Sequence, residues 1–316
     1  MAEPDRKRSV ADSQGFAKPV SVSAQNAIQF MQRAIQVIEV AKGDCEKVYC
    51  FFRANLHELS ESFLETLPSV FAKVIAEEFR LEEFIDFGSF LQHFPLGDRA
   101  LNLELAISIC SLALTVSLKG RSPETWAVIQ NNLGNAYSNC IRGERAENLE
   151  KAISTYQSAL QIATREAFPE TWATTQNNMG GAYGYRIRGD RAENIEKAVA
   201  AYKLALQVRT RETLPEYWAT TQDNLGTAYI NRIRGERAEN SEKAVAAREL
   251  ALQVVTREAF PETWAAIQHN LANACQKRVK GERESNIGQA ISLYEQSAEV
   301  FTLESFLDNG LRIRVG

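Results

Sequence analysis

An all-α solenoid of antiparallel helix pairs, closed at its N-terminal end by a helical cap, is the fold this sequence predicts. Three observations point to it. The only four tryptophans, Trp126, Trp172, Trp218 and Trp264, are each 46 residues apart, and a fixed period of that length marks stacked supersecondary units. Each period holds two apolar stripes at helical spacing. Proline and glycine recur at the same two places in every period, where they punctuate helices.

The wording of the unit repeats almost literally. PETWAVIQNNLGNAYSNCIRGERAENLEKAISTYQSALQIATRE starts at Pro123, and near copies start at Pro169, Pro215 and Pro261. With Leu133 as origin, Trp126, Ile129, Ala136, Tyr137 and Cys140 fall within about 60° of it on a helical wheel, which defines helix A of the unit. Leu149, Ala152, Ile153, Tyr156, Ala159, Leu160 and Ala163 give the stripe of helix B. Each proline suits a first helical position, where no amide donor is needed. Gly143, Gly189, Gly235 and Gly281 are expected to close helix A in the left-handed conformation, and Asn148, Asn194, Asn240 and Asn286 to cap helix B. Mid-helix glycines at 134, 180 and 226 cost roughly 1 kcal/mol of helicity each, so a close crossing with helix B is expected there. One pair cannot bury both stripes alone, whereas stacked pairs form a continuous core.

One period before Gly143 stands Gly97, so a degenerate unit is assigned to residues 76–122, its first helix from Ala76 to His93 with Gly88 in the place of Gly134. The four regular units span 123–303, the last incomplete, and 304–316 form a tail. Residues 1–21 are polar and mixed in charge and are expected to be a disordered leader. Between them, 22–75 form the cap, with helices expected at about Ser23 to Gly43, Glu46 to Glu58 and Glu61 to Glu77. Phe51, Phe52, Phe63, Phe71, Phe79, Phe84, Phe87 and Phe90 are its expected core, because a terminal unit must cover a face that interior units cover for each other.

Composition narrows the function. With 36 Lys+Arg against 40 Asp+Glu, the net charge is -4, which supplies no global attraction for nucleic acid or an anionic membrane. Five cysteines at unrelated spacings match no zinc or redox signature and fit small buried hydrophobes of a reducing compartment. With no apolar N-terminal leader and no uninterrupted apolar span, a cytoplasmic protein without membrane contact is expected. His57, His93 and His269 lie in unrelated segments and form no metal-ligand spacing. No nucleophile elbow, phosphate loop or nucleotide fingerprint is present. The expectation is a non-enzyme with no metal and no cofactor.

The L-G-x-x-Y of helix A (Leu133, Gly134, Tyr137; Leu225, Gly226, Tyr229) joined to the A-x-x-x-Y-x-x-A of helix B (Ala152, Tyr156, Ala159; Ala198, Tyr202, Ala205) resembles the tetratricopeptide repeat. The unit is longer than that family's usual one, which resembles the long-unit arrays of kinesin light chains. The NNLGNAYSN and RGERAENLEKAI wording, with the upstream VYCFFRANLHELSESF, is more similar to repeat proteins abundant in cyanobacteria, some of which carry a caspase-like CHAT domain. The resemblance implies a right-handed superhelix whose helices A line a concave, peptide-binding surface. It also implies an alternative role, as the regulatory or sensor portion of a larger effector with a caspase-like partner enzyme.

On the wheel, the face opposite Leu133 carries Asn131, Asn135, Ser138 and Arg142, flanked by Asn132 and Asn139. Its repeated member is Asn132, Asn178, Asn224 and Asn270. Amides offer a donor and an acceptor together, which suits an extended peptide backbone. Asn131, Asn132, Asn135, Asn178, Tyr185, Asn224, Asn231, Asn270, Asn273 and Lys277 are the candidate peptide-binding residues. The competing role for the asparagines is to bridge adjacent helices A. In the loops, acid–arginine pairs (Asp98 with Arg99, Glu144 with Arg145, Asp190 with Arg191, Glu236 with Arg237, Glu282 with Arg283) are expected to meet between units and fix the stacking register. The alternating acids argue against a phosphate-binding stripe.

Overall fold

The computed structural model describes residues 22–76, 81–117 and 122–300. Its described elements are helices, apart from turns: α1 (Val22–Ala41), α2 (Cys45–Ala54), a short 3₁₀ turn (Leu56–Glu58), α3 (Glu61–Ala76), α4 (Leu81–His93) and α5 (Arg99–Val116). Four pairs follow: α6 (Pro123–Asn139) with α7 (Arg145–Leu160), α8 (Pro169–Tyr185) with α9 (Arg191–Ala205), α10 (Pro215–Ile230) with α11 (Arg237–Leu252), and α12 (Pro261–Lys277) with α13 (Arg283–Val300). Each helix packs against its successor from α4 onward, giving a right-handed solenoid of antiparallel pairs. Successive helices A also approach one another, α6 with α8, α8 with α10 and α10 with α12, more closely than successive helices B do. That asymmetry puts helices A on the inside of the curve.

The crossing inside a pair follows from one missing side chain. A Cβ on Gly134 would lie 2.5 Å from Cε1 of Tyr156, and one on Gly180 would lie 2.8 Å from Cε1 of Tyr202. Gly88 meets Ile109 in the same way at 2.9 Å, so the degenerate pair α4–α5 uses the same crossing. Glycine's loss of helicity is thus set against the burial of a whole aromatic ring. In the last pair, where Ala272 stands in the glycine's place, Tyr294 is only half-buried.

Helices α1 to α3 pack with α4 and α5 around an aromatic core. Phe30, Phe52, Phe63 and Phe87 meet edge-on, with ring centroids 5.2 to 6.3 Å apart. Phe52, Phe63, Phe71, Phe84 and Phe87 are buried as expected, while Phe51 and Phe90 are partly buried at the rim. Phe79 lies outside the described residues with the rest of 77–80; of the leading helix assigned to the degenerate unit, Ala76 is the last residue of α3 and α4 begins at Leu81. α5 has the length and apolar composition of a membrane span, yet Leu105, Ala106, Ile109, Cys110 and Ala113 are buried against its neighbours. Burial pushes the Cys110 thiol up to about 12.

Two local expectations are corrected. Gly143 is left-handed, with φ +77°, but α6 already ends at Asn139 with Cys140 as its cap. The glycine turns the loop instead. Helix B is capped by the residue after that glycine, as Asp98 and Asp190 show by accepting backbone amides of the first turn. The asparagines expected as caps sit one turn inside. Asn102, Asn148, Asn194, Asn240 and Asn286 are buried, and each donates from Nδ2 to the loop carbonyl six residues earlier, at 2.8 to 3.0 Å. Each bond ties the loop back onto the first turn of helix B.

The four tryptophans occupy equivalent positions in the repeat and are half-buried. Trp218 and Trp264 pack beside Ala219, Ala251, Val255 and Ile267 near the junction of adjacent units. Trp172→Ala is therefore expected to cost about 2 kcal/mol, near half the cost of deleting a fully buried aromatic. Urea denaturation reads this directly, and a loss under about 0.5 kcal/mol, the range of ordinary surface substitutions, would place the ring on the surface.

Candidate functional site

Three rows of polar contacts join successive units, and the innermost runs along helices A. Asn224 donates from Nδ2 to Asn177 Oδ1 (3.1 Å), Asn177 to Asn178 Oδ1 (3.2 Å), and Asn178 to Asn131 Oδ1 (3.1 Å). Asn131 donates to Asn132 Oδ1 (3.4 Å), and Asn132 to Ser89 Oγ (2.9 Å) on α4. The relay needs an amide at each step, because only an amide both donates and accepts through one planar group. It stops at position 223, where aspartate replaces asparagine. Asp223 accepts from Asn270 at 2.8 Å but has no N–H to offer the Oδ1 of Asn224.

The second row lies at the loops. Arg186, Arg232 and Arg278 make two-pronged bonds to Glu150, Glu196 and Glu242 of the preceding helix B, at 2.6 to 2.9 Å. Each guanidinium holds its partner glutamate below the ordinary carboxylate range. The third row links Arg165 to Gln207, Arg211 to Gln253 and Arg257 to Glu299. These rows set the register, which corrects the loop expectation. Arg145 and Arg191 turn back within their own units to the carbonyls of Ser138 and Gly184, where they satisfy the open end of helix A.

A cavity of about 430 Å³ opens on the inner side at α8, walled by α6, α7, α9 and α10. Its cause is legible from the repeat. Where the other units carry Asn135, Thr227 and Asn273, α8 has Gly181; where they carry Ser138, Ile230 and Gln276, it has Gly184. A Cβ on Gly184 would meet nothing within 4 Å. Beneath this bare stretch lies Tyr202. Its counterparts Tyr156 and Tyr294 donate their hydroxyls to Asn135 Oδ1 (2.6 Å) and Asn273 Oδ1 (2.8 Å). Gly181 offers Tyr202 no such acceptor, and a Cβ there would lie 3.7 Å from its hydroxyl. Burial raises the Tyr202 hydroxyl above its usual range, with Tyr185 and Asp223 adding to the effect.

Two stretches of the chain, residues 126–166 and 218–255, match the family model described as Tetratricopeptide repeat. Those two stretches are similar to the tetratricopeptide repeat. Among solved structures it is similar to BtubC (BKLC) from P. vanneervenii, at 16% identity over 89% of this chain and 92% of that one, with a TM-score of 0.48. No curated protein matches the chain.

Within this array the candidate residues separate into groups. Asn135, Asn178, Tyr185, Asn224, Asn231 and Asn270 line the α8 cavity. Asn131, which the wheel placed on the solvent face, is buried and serves the relay. Asn132 joins α6 to α4. Asn273 holds Tyr294 and donates to His269 O within α12, and Lys277 is exposed at that helix's end. Asn132, Asn178, Asn224 and Asn270 each commit their Nδ2 to the preceding helix A.

Sequence reasoning missed Tyr202, which it assigned to the helix B core, and left Gly181, Gly184 and Asp223 out of the candidate set. The signal was a mismatch between repeats: a tyrosine kept where its asparagine partner is gone. Among the described residues, no group of three or more His, Cys, Asp or Glu side chains is placed to hold a metal ion.

Proposed function

We propose that this tetratricopeptide array is a non-catalytic scaffold in the cytoplasm that binds a peptide or protein segment along the inner face of helices A. The observation that carries this reading is the α8 cavity, a polar recess at mid-array that Gly181 and Gly184 leave open. A stack built only for rigidity gains from side chains at those positions, since both glycines lower helicity by roughly 1 kcal/mol each relative to alanine. Exposed Tyr185 at the rim adds an aromatic surface suited to a binding contact. The alternative, a regulatory or sensor portion of a caspase-like effector, rests on the resemblance of the repeat wording. It keeps the same binding face and differs in the enzyme fused or bound to it.

The test is peptide selection on the full chain from a random display library, with affinities measured by fluorescence anisotropy. Gly184→Trp puts a large side chain into the recess from a position where a Cβ meets nothing within 4 Å. Selected peptides should lose at least about tenfold in affinity on this variant, a change of about 1.4 kcal/mol, while its circular dichroism stays helical. Peptides that bind wild type and Gly184→Trp equally would move the site off this face.

A further inference from the structure

We propose that the α8 recess is a subsite for an uncharged carboxamide, the side chain of a glutamine or asparagine in the bound segment; this rests on the peptide-binding reading above. Two groups in the recess lack the partner that the repeat supplies elsewhere. Tyr202 is 6% exposed, and its hydroxyl has no protein acceptor because Gly181 stands where Asn135 and Asn273 accept from Tyr156 and Tyr294. Asn224 donates to Asn177, but its Oδ1 receives no donor because Asp223 replaces the asparagine that serves Asn178 and Asn132.

The Tyr202 hydroxyl and the Asn224 oxygen both face the recess without a protein partner, and one ligand group answers both. A carboxamide carbonyl accepts from the Tyr202 hydroxyl, and the carboxamide N–H₂ donates to Asn224 Oδ1. The ligand thereby takes the place of the side chain that Gly181 omits. Charge points the same way. Asp223 is already held by Arg248 (2.8 Å) and Asn270, and Arg191 is engaged with the Gly184 carbonyl at 2.6 Å. A carboxylate accepting from the Tyr202 hydroxyl would set its second oxygen against the Asn224 oxygen and the Asp223 side chain, where a carboxamide presents N–H₂ donors. An aliphatic side chain would leave both polar groups unmatched.

The experiment uses the full chain labelled with ¹⁵N-glycine, whose 17 glycines give few signals; those of Gly181 and Gly184 are assigned by their loss in Gly181→Asn and Gly184→Ser. Three probes are titrated: the N-acetyl methylamides of glutamine, glutamate and norleucine. The glutamine probe should shift the Gly181 and Gly184 amides saturably, with a dissociation constant on the order of 1 mM for a ligand of this size. The other two should bind at least about tenfold more weakly, as expected when buried polar groups go unpaired. Gly181→Asn should abolish the glutamine-probe shift at Gly184, because its own amide then takes the Tyr202 hydroxyl, a pairing that two units already fold with. Gly181→Ala leaves the hydroxyl free and should keep the response.

Equal responses to the three probes, no saturable shift, or a shift that survives Gly181→Asn would overturn the carboxamide assignment. The two readings fail separately. Peptides that lose affinity on Gly184→Trp but bind Gly181→Asn as they bind wild type, with no preference among the probes, leave the binding face in place and remove the subsite alone.

Discussion

Asp223→Ala is expected to lower stability by about 3–5 kcal/mol, the range for removing one partner of a buried ion pair. Arg248 is 3% exposed, and its Nε donates to Asp223 Oδ1 at 2.8 Å. The variant would leave a guanidinium inside the array with one remaining bond, to Thr227 Oγ1, and one nitrogen that has no partner even in the wild type. Asn270 would lose its acceptor as well, so the contact between α10 and α12 weakens at the same time.

The repeat supplies the control. Position 248 is tyrosine in the other three units (Tyr156, Tyr202, Tyr294), and position 223 is asparagine at 131 and 177. The third unit has exchanged a tyrosine and an asparagine for an arginine and an aspartate together. Restoring both, with Asp223→Asn and Arg248→Tyr, should bring stability to within about 1 kcal/mol of wild type, since replacing a buried pair as a whole is near neutral. Guanidinium denaturation of the single and double variants gives the coupling energy. A single-variant loss below about 1 kcal/mol, typical of exposed pairs, would mean that solvent reaches this arginine.

The fold was legible because its signal is redundant. Trp126 and its three counterparts fix the period, Pro123 and its counterparts fix where helix A begins, and the Gly134–Tyr156 crossing recurs as Gly180–Tyr202. Cap chemistry was less legible. Asn148 is a good N-cap by residue type, but Glu144 reaches that position first, and the asparagine is used inside the helix to hold a loop carbonyl. Residue type gives the hydrogen-bonding capacity, whereas the loop's geometry decides the partner.

The candidate site was legible only in part for a related reason. A helical wheel separates an apolar face from a polar one, but it cannot show that a neighbouring helix A covers part of the polar face. Asn131 is polar and buried for that reason. The recess at α8 depends on what is absent at 181 and 184 and on the tyrosine left beneath, a relation between three positions that no single unit displays.

Asn178→Ala combined with Asn224→Ala is expected to cost about 3 kcal/mol. The double change deletes three bonds of the relay: Asn178 to Asn131, Asn177 to Asn178 and Asn224 to Asn177. Each is worth about 1 kcal/mol net, and stranding the buried Asn131 oxygen adds a desolvation penalty of about 1–3 kcal/mol. Two asparagine-to-alanine exchanges return roughly 0.6 kcal/mol each in helix propensity, so the two effects oppose each other with a net loss. In a linear array the loss falls on the interfaces α6–α8 and α8–α10 rather than on the whole chain. Hydrogen exchange should therefore accelerate in α8 before it does in α4 or α12, and the urea midpoint should fall. If the asparagines were solvent-facing, only the propensity gain would remain, and the double variant would be more stable than wild type by roughly 1 kcal/mol. The sign of the change thus decides whether these amides bridge the units, independently of any ligand.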